Sequence, residues 1–348
     1  MHLEKNILNI HYFRVIFCLI IAVHHFTSIF GANNHLMLQF IKDYGQNVVS
    51  FFFVISGFCL MYRWRPETFT SKYPLKIYQS LLRKRLLKIW PLHFFTLLLC
   101  ILSYFLIGTP LAGYIGNIKG TLLSVFLLHD WIPGHPNYRQ AWNGVSWFLS
   151  ALLFCYIFYP LVFNYIKLFA RNVKPIYYVV AFLLMIVGLE KVVDFIYFSP
   201  VMRFLEFVLG ASLAYNLKSK CNYGFNFCDV LLIVLIVLFS DIQKAEYGFF
   251  LSPIFASSLY FLSKFELEYT KMLSCSRGTL RISSISMYIY MLHAIVLGFV
   301  SYCVSYLNLQ FAYWEIFLLF FILTIFSSFA VKYIIDEFLS KIFKPNSA

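Results

Sequence analysis

Residues 10–30 read IHYFRVIFCLIIAVHHFTSIF, an apolar stretch that carries Arg14, His24 and His25. At about 20 residues it is long enough to cross the hydrocarbon core of a bilayer as a helix. Ionisable side chains inside such a segment are costly to hold there, so each is a functional candidate. Helical phase separates them. Arg14 and His25 are eleven positions apart, and at about 100° per residue they return to within roughly 20° of one face. His24 points about 80° away from Arg14, so His25 is the histidine that shares the arginine's stripe. The rise between Arg14 and His25 is roughly 16 Å, beyond salt-bridge reach. The two therefore hold different parts of one long ligand, or act in sequence along one path.

The composition extends this reading to the whole chain. Of 348 residues, 61% are hydrophobic and only 12% are charged, about half the charged share of a soluble domain. Aromatic residues make up 21%, with 41 Phe and 25 Tyr, which suits lipid-facing surfaces and interfacial belts. The apolar runs are continuous and lack the period-two alternation of an outer-membrane barrel. The fold class is an all-α polytopic membrane protein. The net charge of +13 does not point to nucleic acid, because it is concentrated in loops between apolar runs, and no basic soluble domain is present to read one. The eight cysteines fall mostly inside apolar runs and form no CxxC pair, and Cys221 to Cys228 is a loose spacing. They indicate neither a zinc site nor a disulfide framework. The first apolar segment is long and lacks a small-residue cleavage site, so it reads as a retained span.

Spans are expected at 10–30, 47–62, 89–107, 147–166, 176–190, 201–217, 229–242, 249–263, 285–306 and 314–333, about ten transmembrane helices in one bundle. Residues 118–128 are apolar but too short to cross, and read as re-entrant or interfacial. With both termini cytoplasmic, 21 of the 28 Lys and Arg fall in inner segments and five in outer loops. That bias is what the positive-inside rule produces. Residues 1–335 are expected to form one transmembrane domain and 336–348 a short cytoplasmic tail. The longest outer loop, 108–146, contains HDWIPGHPNYRQAWNG, whose Pro, Gly and aromatic residues suggest a structured lid. Its His129, Asp130 and His135 read as hydrogen-bonding residues, and no metal is expected.

Five local features concentrate the chemistry. The first is Arg14 with His25. The second is FFFVISGF, residues 51–58, whose Ser56-Gly57 step suits close helix packing. The third is RKRLLKIWP, residues 83–91, where Arg83, Lys84, Arg85 and Lys88 enter the third span. As a plain anchor this cluster touches anionic lipid, and as a site it holds phosphate. The fourth is RFLEFVLG, where Arg203 and Glu206 share a helix face at i, i+3, the spacing of an intrahelical ion pair. The fifth is SMYIYMLH, in which Ser286 and His293 share a face and Tyr290 nearly joins them. Either reading of His293, a packing residue or a group facing a cavity, remains open at this point.

In this order the pieces resemble the membrane-bound acyltransferase family 3, the O-acetyltransferases of bacterial glycans. The family's Arg-X10-His pattern matches Arg14 to His25, and its FFxxSGF segment matches Phe51 to Phe58. Its Arg-X-X-Arg with a following Pro stands here as RLLKIWP, with Lys88 in place of the second arginine. That exchange keeps the charge but loses bidentate phosphate geometry. Its tryptophan motif is similar to Trp147 to Pro160, in the WFL form. Leu152 stands where some members carry a carboxylate. Glu206 to Gly210 and Tyr290 to His293 match the late EFxxG and YxxH elements. Ser56, Trp147, Glu206, Tyr290 and His293 are thus secondary site candidates. No periplasmic hydrolase-like domain is expected after the last span.

The resemblance implies transfer of an acyl group, usually acetyl, from cytoplasmic acyl-CoA to a sugar hydroxyl across a bacterial cytoplasmic (inner) membrane. The acceptor is then a surface glycan or a lipid-linked sugar, and no permanently bound cofactor is expected. Counted from Ile10, Arg14 lies near the cytoplasmic side and His25 about 22 Å along the axis, in the outer half. The CoA phosphates would sit on Arg83, Lys84, Arg85 and Lys88, the arm would pass Arg14, and the thioester would approach His25 as general base. The runner-up reading is a glycan or lipid-linked sugar transporter or polymerase, and a third is a non-catalytic membrane partner.

Overall fold

The computed structural model describes residues 8–63, 74–132, 135–190, 196–218, 229, 231, 251–269 and 277–342. Thirteen α-helices stand among them. In chain order they are α1 Leu8–Phe30, α2 Leu36–Tyr44, α3 Val49–Arg63, α4 Pro74–Ile107, α5 Ile118–Val125, α6 Pro136–Arg139 and α7 Trp147–Asn172. They continue as α8 Pro175–Glu190, α9 Pro200–Lys218, α10 Ser252–Tyr269, α11 Arg277–Ser284, α12 Ser286–Tyr306 and α13 Tyr313–Ile342. The only extended pairing among the described residues is two isolated bridges, Ala112 with Asn143 and Tyr114 with Ala141. The fold is all-α and polytopic, as the composition requires.

Among the described residues, six stretches are long and apolar enough to cross a membrane: Ile10–Phe30, Leu36–Tyr62, Tyr78–Ile107, Gly144–Asn172, Ser286–Tyr306 and Tyr313–Lys341. Of the ten spans expected, three others correspond to α8, α9 and α10, and 229–242 lies outside the described residues apart from Asp229 and Leu231. Cys221, Cys228 and Cys275 also lie outside them. Helix α9 is not among the six. It carries Arg203, Glu206 and Asn216, all buried, and a helix surrounded by protein needs no apolar exterior.

Two boundaries differ from the sequence expectation. Helix α4 starts at Pro74, well before residue 89, because proline suits the first helical turn and the residues after it are good helix formers. At 34 residues it is about 51 Å long, so it outruns the hydrocarbon core by several turns. The Arg83–Lys88 cluster is therefore helical. Residues 336–342, expected to be tail, continue α13, where Lys332 pairs with Asp336 and Lys341 with Glu337 one turn away. Helix α5 has eight residues, about 12 Å, which is too short to cross. Its first turn is capped by Asn117, whose side-chain oxygen accepts from the Gly120 N–H at 2.7 Å.

The chain forms two compact units. One comprises Met1–Arg14, Gln46–Arg85 and Ser150–Arg277; the other comprises Val15–Gly45, Leu86–Leu149 and Gly278–Ala348. In the first, α3 lies against α9 at backbone contact. A Cβ on Gly57 would come 1.8 Å from the Phe207 carbonyl oxygen, and one on Gly210 would come 1.9 Å from that of Val54. In the second, α1, α12 and α13 share an apolar core of Ala22, Phe26, Val296, Leu297, Val300, Ile316 and Phe320. The loop 108–146, expected on the outer side, belongs to this unit and is folded on itself through the two bridges. Trp142 adopts φ +64° there, and its indole N–H donates to Thr121 Oγ1 at 2.8 Å. Left-handed backbone is uncommon for a bulky residue and persists where the surroundings hold it.

Candidate active site

Helix α1 presents two adjacent histidines to different neighbours. His24 Nδ1 lies 3.2 Å from the Ile41 carbonyl oxygen of α2, so the ring donates to that oxygen. A Cβ on Gly45 would come 2.7 Å from His24 Cβ, which makes the glycine a condition of this packing. His24 is therefore a structural residue joining α1 to α2. His25 points elsewhere. Its ring lies 5.1 Å, centroid to centroid, from that of His293 on α12.

The register of α1 against α12 explains the meeting. Cys18 Sγ donates to the Ser286 carbonyl oxygen at 3.1 Å, across 268 residues of sequence. His25 and His293 are each seven residues further along their own helix. Two helices that run parallel and touch at one level touch again two turns later, about 10 Å along the axes. Farther on, Ala22 and Phe26 continue the seam with Val296, Leu297 and Val300.

His293 is wholly buried and fixed. Its Nδ1 lies 3.2 Å from the Ile289 carbonyl oxygen one turn back. A carbonyl only accepts, so Nδ1 carries the hydrogen and Nε2 presents a bare lone pair. Nε2 is buried with no hydrogen-bond partner among the described residues. The turn that carries it is tied to the end of the outer loop. Tyr290 donates its hydroxyl to the Val145 carbonyl oxygen at 3.1 Å, and Asn143 Nδ2 donates to that of Met291 at 3.3 Å. The Tyr290 ring also packs on Phe148 at 5.0 Å and on His293 at 5.9 Å.

The remaining sequence candidates fall in other surroundings. Arg14 is half-buried, and its Nη2 donates to Cys59 Sγ of α3 at 3.5 Å, while the neighbouring Phe13 ring meets Phe51. Ser56 donates its hydroxyl to Phe52 O in its own helix at 2.6 Å, and this back-bond accounts for it. Trp147 is buried at the first position of α7. Glu206 is buried and accepts from Arg203 Nη1 at 2.9 Å and from the Ser252 hydroxyl. Arg203 is buried too, donating from Nε to Tyr197 O at 2.8 Å and from Nη1 to Ser50 Oγ at 2.9 Å. This is a buried ion-pair network inside the first unit. On α4, Arg83, Lys84 and Lys88 are exposed. Arg85 is half-buried, with its guanidinium 5.7 Å above the Tyr156 ring. Lys84 and Lys88 stand one turn apart and share a face.

A second histidine pair escaped the sequence reading. His93 of α4 and His129 of the outer loop are buried, and their rings stack at 5.8 Å with an 8° interplanar angle. His93 Nε2 lies 2.7 Å from Ser124 O, and His129 Nε2 lies 3.2 Å from Ser146 Oγ. Burial pushes the His129 imidazole down to about 3; neighbouring His93 adds to this and hydrogen bonding at Ser146 opposes it. His135, grouped with His129 in the sequence, is exposed and lies against Tyr138 instead. Nothing local in the sequence signals the pairing of His93 with His129, 36 positions later.

Comparison with known proteins agrees with this picture. Acyltransferase MdmB of Streptomyces mycarofaciens is 30% identical over 132 residues, which is 37% of this chain and 31% of the relative's length. The chain thus spans about a third of the relative it matches. No solved structure matches it. The model of the family described as an acyltransferase domain matches residues 7–333. With that match over nearly the whole chain, on a fold of apolar helices, this protein belongs to the acyltransferase family 3 and is a multi-pass membrane protein.

Proposed function

We propose that the protein moves an acyl group, acetyl in the first instance, from cytoplasmic acyl-CoA to a hydroxyl of a bacterial surface glycan or its lipid-linked precursor. It would do so in the cytoplasmic (inner) membrane with both termini inside. The observation that carries this reading is the contrast between the two histidines of α1. His24 is bound to a backbone carbonyl of α2, whereas His25 faces a buried imidazole whose lone pair is unpartnered. His25 is the general base. It takes the proton of the acceptor hydroxyl as that oxygen attacks the thioester carbonyl, the C–S bond breaks, and the imidazolium returns the proton to the leaving CoA thiolate. No covalent acyl-enzyme is needed to balance the reaction.

Two further places on the chain serve the donor. The exposed basic face of α4, with Arg83, Lys84 and Lys88 and the half-buried Arg85, offers charge-assisted contacts for the CoA phosphates. Arg14 stands on α1 roughly 16 Å before His25, within the length of an extended pantetheine arm. The experiment is acyl transfer from labelled acetyl-CoA in membranes bearing the protein. Label appearing in glycan or lipid-linked sugar, and abolished by His25→Ala at unchanged protein level, is the expected outcome. Equal labelling by the His25→Ala variant would sink the assignment. Glycan assembly that continues without label transfer would favour a transporter or polymerase.

A further inference from the structure

We propose that His293 is the positioning residue of the reaction: its bare Nε2 accepts the N–H of His25 and so turns the other ring nitrogen of His25 toward the acceptor hydroxyl. The inference rests on His25 being the general base. A free imidazole has two tautomers, and only the one with its lone pair toward the hydroxyl acts as base. The partner of the opposite nitrogen selects it. His25 has the His293 ring 5.1 Å from its own, centroid to centroid; its other imidazole neighbour among the described residues is His24, which the Ile41 carbonyl already engages.

His293 suits the role because its own tautomer is fixed. The Ile289 carbonyl takes the hydrogen on Nδ1, leaving Nε2 an acceptor buried without a partner. An orphaned buried acceptor is unfavourable, and a small rotation of the His25 ring would relieve it. Hydrogen bonds of this kind commonly tighten once substrate is in place. The resulting line runs from Ile289 O to His293, to His25, to the hydroxyl. It has the logic of a nucleophile–base–orienter chain, with a neutral imidazole as the orienting group. As His25 gains the hydroxyl proton, its N–H toward His293 Nε2 becomes charge-assisted and stronger, so the contact favours the transition state over the ground state.

The outer loop has a part in this. Tyr290 and Met291, in the same turn as His293, are held by Val145 O and Asn143. Cys18 and Ser286 lock the register two turns before the histidine pair. The helix that carries His293 is thus fixed on two sides before substrate arrives.

Two isosteric variants test the proposal. His293→Asn keeps a donor where Nδ1 stands but removes the acceptor; His293→Gln places a carbonyl oxygen near the position of Nε2. In acyl transfer from labelled acetyl-CoA, the Asn variant should lose about 30-fold or more in kcat with KM for the donor within about twofold. The Gln variant should stay within about fivefold of wild type. Wild-type kcat in His293→Asn overturns the proposal. So does an equal loss in Asn and Gln, which would make His293 a packing residue. Absence of transfer in the wild-type protein would instead refute the acyltransferase reaction proposed above, so the two failures are distinct.

Discussion

Gly57 of α3 lies so close to Phe207 of α9 that a single added methyl would stand 1.8 Å from the phenylalanine's carbonyl oxygen. The relation is reciprocal, since Gly210 of α9 lies equally close to Val54 of α3. Two helices that approach to backbone contact gain dispersion along their length, and small residues permit it. Gly57→Ala or Gly210→Ala should therefore destabilise the protein by about 1–3 kcal/mol, despite alanine's better helix propensity. The obstacle is backbone and cannot turn aside as a side chain would. Thermal unfolding in detergent measures the effect. An unchanged midpoint in both variants would contradict the close approach.

The Arg203–Glu206 pair predicts an asymmetry between single and double replacements. Both side chains are fully buried and bound to Tyr197, Ser50 and Ser252 as well as to each other. Arg203→Ala leaves a buried carboxylate uncompensated, at about 3–5 kcal/mol. The double variant Arg203→Met, Glu206→Leu should cost clearly less than Arg203→Ala alone. Comparing unfolding midpoints of the two decides it; a double variant worse than the single would mean that the charges do more than compensate each other.

The basic face of α4 separates donor binding from topology. Arg85→Ala with Lys88→Ala should weaken acyl-CoA binding by about tenfold or more, because each charge-assisted phosphate contact is worth roughly 1.5–3 kcal/mol. Tyr156→Leu, which removes the ring beneath the half-buried Arg85, should weaken it less, by the worth of one cation–π contact, about 0.5–2 kcal/mol. Titration of membranes with a labelled CoA analogue reads both. Unchanged affinity in the double variant returns these residues to the role of lipid anchors.

His129 makes stability depend on pH in a definite direction. Its imidazole titrates at about 3 in the fold and near 6.5 in the unfolded chain. The unfolded state therefore binds a proton first. The stabilisation from keeping His129 neutral is complete above about pH 6.5 and is lost as pH falls from there toward 3, at about 1.4 kcal/mol per unit. His129→Gln lowers the total stability but should flatten the decline between pH 6.5 and 4.5. Parallel pH curves for variant and wild type would show that other groups set the acid sensitivity.

How far the sequence reached can be seen at individual residues. Helical phase alone placed His25 and His24 on different faces of α1, and the structure gives them different neighbours. The i, i+3 spacing of Arg203 and Glu206 was enough to expect an ion pair, because both partners lie on one helix. The shortness of α5 was equally plain, since helix rise is a local property. The start of α4 was misplaced because hydropathy marks where a helix enters lipid, whereas backbone hydrogen bonding, helix propensity and Pro74 decide where the helix begins.

By itself, then, the sequence determined the membrane class, the faces of single helices and which histidine of α1 shares the face of Arg14. Only the tertiary structure decided what that histidine meets. His293 lies 268 positions after His25, and its place opposite follows from the register of α1 on α12, set by Cys18 and Ser286 and by the apolar seam beyond. The His93–His129 stack and the Gly57–Phe207 contact have the same origin. Periodicity describes one helix at a time, whereas the choice among helix partners depends on how side chains and bare backbone fit across a crossing, a property of two surfaces together.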